Sequence, residues 1–285
     1  MKLGAHVSTA GGVEKAVDRG VAIGCEAIQI FASSPQSWFF KPVPRENIEA
    51  FKKRAKDANM APVFFHCIYL INLGNPNPDN VRKGIRSLID YMSFAADLGA
   101  GGIIFHPGSH KGAGYDAILK QTADSIIEAL ENSPEGPWLT LENTAGMGQH
   151  IGAKFEELGR IIDAVGSPRL KVCLDTEHAF AAGYDIVTKG GLDATMEEFD
   201  REIGLDRLVA VHANDSKQPL GSGVDRHENI GQGHIGIEGF ETVMAHPAFS
   251  DLPFFLEVPG MEGGGPDKAN LDILKNIREE LGIIP

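Results

Sequence analysis

Asp225 and His227 stand two residues apart in the stretch VDRHENIGQGHIG (224–236), with Arg226 between them. Three glycines follow, so the stretch reads as a loop rather than a helix or a long strand. In an extended segment, positions two apart point the same way, and this acid and this imidazole can aim at one point. The same side-chain types end a series of short apolar runs. APVFFHC leads to His66, GGIIFHPGSH to His106 and WLTLENTAG to Glu142. LKVCLDTEH leads to Asp175 and His178, RLVAVHANDSK to His212, and LPFFLEVPG to Glu257. Mixed imidazole and carboxylate donors suit Zn²⁺, with Mn²⁺ or Fe²⁺ as alternatives.

Each of these residues alone has an ordinary explanation. A histidine at a strand end is usually a hydrogen-bonded rim residue, Glu142 could cap a helix, Glu257 could pair with an arginine, and Asp175 and His178 could be a salt bridge. Together they are harder to dismiss. Charges crowded at one place cost several kcal/mol each unless paired or metal-bound. No Arg or Lys cluster sits on the same strand ends. A catalytic zinc takes about three protein ligands, so nine ligands suggest about three metals.

The elements that would carry them are legible. Two further runs, LGAHVS near His6 and AIQIFASS, bring the strand candidates to eight. The segments between them look helical. PRENIEAFKKRAKDA (44–58) begins with Pro, NPDNVRKGIRSLIDYMSFAADLG (77–99) ends in Gly, and PDKANLDILKNIREELG (266–282) begins with Pro and ends in Gly. Strand and amphipathic helix in eightfold alternation predict a parallel (β/α)8 TIM barrel. The near-continuous apolar strands fit a sheet buried on both faces. No linker interrupts the pattern, so residues 1–285 are expected to form one domain. In such barrels the C-terminal strand ends build the active site, and the polar residues above lie there.

The bulk numbers narrow the class. The chain has 285 residues, 42% hydrophobic and 23% charged, which is ordinary globular composition. Its three cysteines are too few and too scattered for a disulfide framework, and a reducing cytoplasm fits. Neither a signal peptide nor a membrane-spanning helix is expected. The formal charge of −13 argues against a nucleic-acid partner, but three divalent ions would make the mouth locally positive. Cys67 should face away from His66 into the core, and Cys173 should fill the barrel interior. His110 and His234 are read as loop residues or supports, His150 and His246 as surface.

The sequence resembles endonuclease IV, the metal-dependent apurinic/apyrimidinic (AP) endonuclease of AP endonuclease family 2. The resemblance runs from GAHVSTAGG (4–12) to LEVPG (256–260) through HCIYLINL, FHPGSH, LENTAG, DTEHAFAAGYD, HANDSK and the loop quoted above. It implies a trinuclear zinc enzyme that is a monomer. His66, His106 and Glu142 would hold one metal. Glu142 would bridge to a second, held by Asp175, His212 and Glu257. His178, Asp225 and His227 would hold the third. The implied reaction is hydrolysis of the phosphodiester 5′ to an abasic site in double-stranded DNA by a metal-activated hydroxide, with Glu142 also orienting the nucleophile. The products are a 3′-hydroxyl and a 5′-deoxyribose phosphate. Tyr69 and Leu70 match a position that wedges into the DNA stack, and Arg226 joins the DNA-contact candidates. Gln36 stands where the family often has an inserted arginine. Glu177 stands where the family often has cysteine; lying between two ligands, it is expected to point away with little effect. The rival is a single-metal sugar isomerase or epimerase on the same barrel. It would need only Glu142, Asp175, His212 and Glu257, and has no use for the other five ligands.

Overall fold

Runs rich in Val, Ile, Leu and Phe, too short for helices, become strands wherever helices cover them. The computed structural model describes residues 1–284, so Pro285 lies outside the described residues. Its strands are β1 (Lys2–His6), β2 (Ala27–Phe31), β3 (Val63–His66), β4 (Gly102–Phe105), β5 (Trp138–Glu142), β6 (Leu170–Asp175), β7 (Leu208–His212), β8 (Asp215–Ser216), β9 (His227–Glu228) and β10 (Pro253–Leu256). The eight expected runs, β1 to β7 and β10, pair in parallel in sequence order, and β10 closes the barrel against β1. β8 and β9 form a separate antiparallel ribbon at the mouth, which the sequence did not announce.

The helices are α1 (Glu14–Ile23), α2 (Arg45–Asp57), α3 (Pro78–Leu98), α4 (Tyr115–Glu131), α5 (Phe155–Val165), α6 (Thr176–Ala182), α7 (Lys189–Glu202), α8 (Gly236–Ala245) and α9 (Lys268–Glu280). Their ends follow local chemistry. Asn77 caps α3 by accepting from the Asp79 N–H, Pro78 fills the first turn, and Gly99 at φ 71° ends it. α9 starts two residues after Pro266, because Asp267 accepts from the Asn270 N–H and sets the cap.

Two apolar layers result. The larger lies between strands and helices and includes Leu88, Ile103, Phe155, Leu174 and Phe240, together with Cys67. The smaller is the barrel interior, with Ala27, Phe64, Ile104, Cys173, Ala210 and Phe255. Both cysteines are where the sequence placed them. The interior is tight at β1, where a Cβ on Gly4 would lie 1.9 Å from the Ala27 carbonyl oxygen. Side chains alternate along a strand, so the residue two after each interior residue faces the same lumen, nearer the mouth. Phe64 is followed by His66, Ile104 by His106, Cys173 by Asp175, Ala210 by His212 and Phe255 by Glu257. An apolar floor thus carries a ring of metal-capable groups.

Candidate metal centre

Glu142 lies at the centre of that ring and is fully buried. Its Oε2 is 3.2 Å from His66 Nε2 and 3.4 Å from His106 Nε2. Its Oε1 is 2.9 Å from His212 Nδ1 and 3.4 Å from His178 Nδ1. The two oxygens of one carboxylate therefore serve two different groups of ligands.

Four of the histidines are oriented in the same manner. His66 Nδ1 is 2.8 Å from the Cys67 carbonyl, His178 Nδ1 is 2.9 Å from the Asn143 carbonyl, and His227 Nδ1 is 3.3 Å from the Glu257 carbonyl. His212 Nε2 is 2.7 Å from Gln29 Oε1. A carbonyl only accepts, so each of these ring nitrogens carries the proton. The other nitrogen then presents a lone pair. For His66 and His212 that lone pair faces a carboxylate, which also only accepts, so the gap must hold a proton or a cation. His227 Nε2 is buried and, among the described residues, has no hydrogen-bond partner. A ligand imidazole tied through its far nitrogen is the usual arrangement at a metal site, and the donor set present here fits one.

Electrostatics agree. Burial by itself would lower the histidines, but nearby groups outweigh it, with Glu142 foremost at His66, Asp175 at His178, and Cys173 followed by Glu142 and Glu257 at His212, and raise all three above the ordinary imidazole value. For His106 burial prevails, and its pKa falls to about 4. Burial would raise Glu142, Glu257 and Asp225, yet the histidines around them hold all three low. Without metal, protons fill the gaps. A cation competes with those protons, so its binding must strengthen as pH rises.

The groups able to converge on one ion are His66, His106 and Glu142; Glu142, Asp175, His212 and Glu257; and Asp175, Glu177, His178 and His227. Asp225 joins the last region, with Oδ2 3.4 Å from His178 Nε2 and Oδ1 3.6 Å from His227 Nε2. The structure thus brings all nine candidate ligands of the sequence to one mouth.

Glu177 does not point away. It is fully buried, and its Oε1 accepts from the Arg226 N–H at 3.0 Å and the Ser216 hydroxyl at 3.1 Å. Alternation fails there because Asp175 caps α6 by accepting from the His178 N–H. Residue 177 therefore lies in a helical first turn, where successive side chains do not alternate.

Neutral side chains hold the ring in place. Gln29 takes on β2 the lumen position that ligands take on other strands. Besides accepting from His212, it donates to Glu257 Oε1 at 2.6 Å. Asn214 donates to Asp175 Oδ2 at 2.7 Å and accepts from the Glu257 N–H at 2.8 Å. Asn143 accepts from the Asp175 N–H at 2.7 Å. Gln29 was findable by extending the alternation to a strand with no charged end. Its Nε2 is also 3.0 Å from His6 Nδ1, and replacing Gln29 with leucine removes all three hydrogen bonds while keeping most of the volume. Metal affinity of the group containing His212 and Glu257 should then fall by about 10–100-fold. Chelator competition measures this, and an unchanged affinity would leave Gln29 without that role.

Beside the ring opens a cavity of about 360 Å³, lined by Tyr69, Leu70, His106, His150, His178 and Asp225 among others. Tyr69 is 61% exposed and Leu70 37% exposed on its rim. His150, read from sequence as plain surface, is exposed but lines this cavity. Gln36 is exposed on the loop after β2, and Arg226 is exposed between Asp225 and His227. The Tyr69 N–H donates to the Pro35 carbonyl at 3.2 Å, which couples the Gln36 loop to the Tyr69 loop.

Residues 17–281 match the family model described as xylose isomerase-like TIM barrel. A relative from Halothermothrix orenii, named "Probable endonuclease 4", is 41% identical over 276 residues, covering 96% of this chain and 99% of that one. A relative of the same name from Trichlorobacter lovleyi is 42% identical over 277 residues, with 96% and 99% covered. The solved structure of endonuclease IV from Thermus thermophilus superposes with a TM-score of 0.87 at 38% identity, covering 98% of this chain and 100% of that one. A D-tagatose 3-epimerase-like protein superposes with a TM-score of 0.76 at 20% identity over 99% and 98%, which shows a shared barrel only. Similarity of that extent, over a barrel whose mouth gathers nine metal-capable side chains, places the chain in the endonuclease IV family of xylose isomerase-like TIM barrels, as a nuclease of the hydrolase class.

Proposed function

We propose that this protein hydrolyses the phosphodiester 5′ to abasic sites in double-stranded DNA, leaving a 3′-hydroxyl and a 5′-deoxyribose phosphate, with three zinc ions at the barrel mouth. The observation that carries this reading is the set of carbonyl-tethered imidazoles whose free nitrogens converge with the buried acids. His66, His106 and Glu142 would hold one ion. Glu142, Asp175, His212 and Glu257 would hold the second, and His178, Asp225 and His227 the third. Bound there, the ions would stabilise the phosphate charge and activate the attacking water.

The chain's own residues supply the rest. Glu142 offers one oxygen to each of two groups, which suits a bridging carboxylate. The cavity shares His106, His178 and Asp225 with the ring, so a sugar–phosphate seated in it would lie against the ligands. An abasic nucleotide is already unpaired and costs least to extrude. Tyr69 and Leu70 stand on the rim, where they can fill the gap left in the stack. A sugar isomerase would use the four-residue group alone, whereas five further ligands surround it here.

Incision of an abasic-site duplex, with and without prior metal stripping, tests the reading. Cutting that is lost on stripping and restored by zinc is expected; a metal-independent activity, or sugar isomerisation without incision, would overturn it. Tyr69→Ala should weaken binding of the abasic duplex by about 1–3 kcal/mol, the worth of a base–aromatic stack, with metal content unchanged. Equal affinity before and after the change would remove Tyr69 from the interface. Gln36→Ala should cost less, since a neutral amide has no phosphate or cation–π attraction to lose.

A further inference from the structure

We propose that Glu177 is a positioning residue that fixes the 225–227 loop and, through it, the third ligand group. The role in metal binding rests on the reading above that Asp225 and His227 are ligands; the role in holding the loop does not.

A fully buried acid normally has a cationic partner. Among the described residues Glu177 forms no ion pair, and its Oε2 has no hydrogen-bond partner. What it has is the Arg226 N–H and the Ser216 hydroxyl, both on Oε1. The Arg226 N–H belongs to the peptide that joins Asp225 to Arg226. The next peptide, which joins Arg226 to His227, is held through its carbonyl, which accepts from the Lys217 N–H at 2.9 Å. His227 itself pairs with Ser216 across the β8–β9 ribbon. The two peptide planes between the Cα atoms of Asp225 and His227 are thus fixed by one bond each. Two planes so fixed set the relative direction of the two side chains.

The ribbon accounts for only one of those bonds. Its second strand begins at His227, and Asp225 lies outside it with its side chain 42% exposed. Among the described residues the Arg226 guanidinium donates only to the adjacent Asp225 carbonyl, at 2.6 Å, which anchors nothing beyond the loop. Glu177 supplies the missing tether. It stands next to His178 on α6, so one short helix presents the third ligand of the group and also holds the loop carrying the other two.

The test compares Glu177→Gln, which keeps an acceptor for the Arg226 N–H, with Glu177→Leu and Glu177→Ala, which remove it at two side-chain volumes. Full-length protein is examined zinc-loaded and after chelator treatment. The first readout is hydrogen exchange at the Arg226 amide together with tryptic cleavage after Arg226. The second is zinc per chain and its affinity by chelator competition. Exchange at α3 reports whether the fold is retained, and if the leucine variant does not fold, the smaller alanine variant decides.

Loss of the acceptor should speed Arg226 exchange and cleavage by about tenfold. It should weaken the most loosely held zinc by about tenfold or more, leaving the other ions in place, while Glu177→Gln stays within about threefold of wild type on both counts, as an exchange of one acceptor for another would. Unchanged Arg226 exchange in the leucine and alanine variants overturns the proposal. So does a glutamine variant as loose as the alanine one, because charge rather than the tether would then be the cause. A wild-type protein holding only two ions would defeat the third-ligand reading instead, and the exchange measurement would still decide whether Glu177 holds the loop.

Discussion

Replacing Glu142 with glutamine is expected to leave the protein folded but to reduce it to about two firmly held metals, from about three, and to bring incision down to the level of the metal-stripped enzyme. The side chain keeps its size. What changes is that one of two equivalent oxygens becomes an amide nitrogen, and the negative charge is gone. Oε2 faces His66 and His106 at 3.2 Å and 3.4 Å, and Oε1 faces His212 at 2.9 Å. Whichever way the amide turns, one of these groups meets an N–H₂ donor where it needs a lone pair. The remaining oxygen is neutral and a poorer ligand for a hard dication. His66 and His106 are then two imidazoles without an acid, too few to hold an ion firmly. The last group, around His178, Asp225 and His227, keeps its own carboxylate and should keep its ion. Elemental analysis after chelator-free purification, with incision measured on the same sample, checks both halves. Three metals and near-normal cutting in the glutamine variant would remove Glu142 from the centre.

The fold and most of the ring could be read from sequence because both signals are local. A buried parallel strand is a short apolar run, and its lumen-facing end is reached by counting in twos from residues such as Phe64 or Ala210. Asp225 and His227 yielded to the same counting inside a loop. The local signal is lost where the backbone period changes or where no charge marks the position. At Glu177 the strand has already become α6, because the Asp175 carboxylate caps a helix, so the expectation that it points away inverted. Gln29 sits at the lumen position of β2 but is neutral, so no charged strand end marks it in the sequence. The pairing of Ser216 with His227 spans eleven residues through only two residues per strand, too short to leave an alternating pattern. His150 reads as surface in sequence and is exposed in fact; only the packing of its loop beside His106 and His178 brings it to the cavity.

The loop that holds Asp225 and His227 offers a selective cut. His227→Ala should leave the third group only His178 and Asp225, too few to hold an ion firmly. Glu142, Asp175, His212 and Glu257 are untouched, and the rim bearing Tyr69 and Leu70 is intact. The variant should therefore fold, keep the other ions and still bind abasic DNA. The deleted imidazole has its Nδ1 on the Glu257 carbonyl at 3.3 Å and its Nε2 3.6 Å from Asp225 Oδ1 and 3.8 Å from Asp175 Oδ2, so its removal costs one long hydrogen bond and two long charge contacts. A stability change should be small beside the effect on rate. Turnover should fall by about 10²–10³, the usual consequence of losing one preorganised electrostatic group. The loss should appear in kcat more than in KM, because such a group acts most strongly as charge develops in the transition state. Zinc stoichiometry and single-turnover incision on the same preparation decide the matter. If Asp225 and His227 are only a salt-bridged loop, the variant will retain its full complement of metal and cut at close to the wild-type rate.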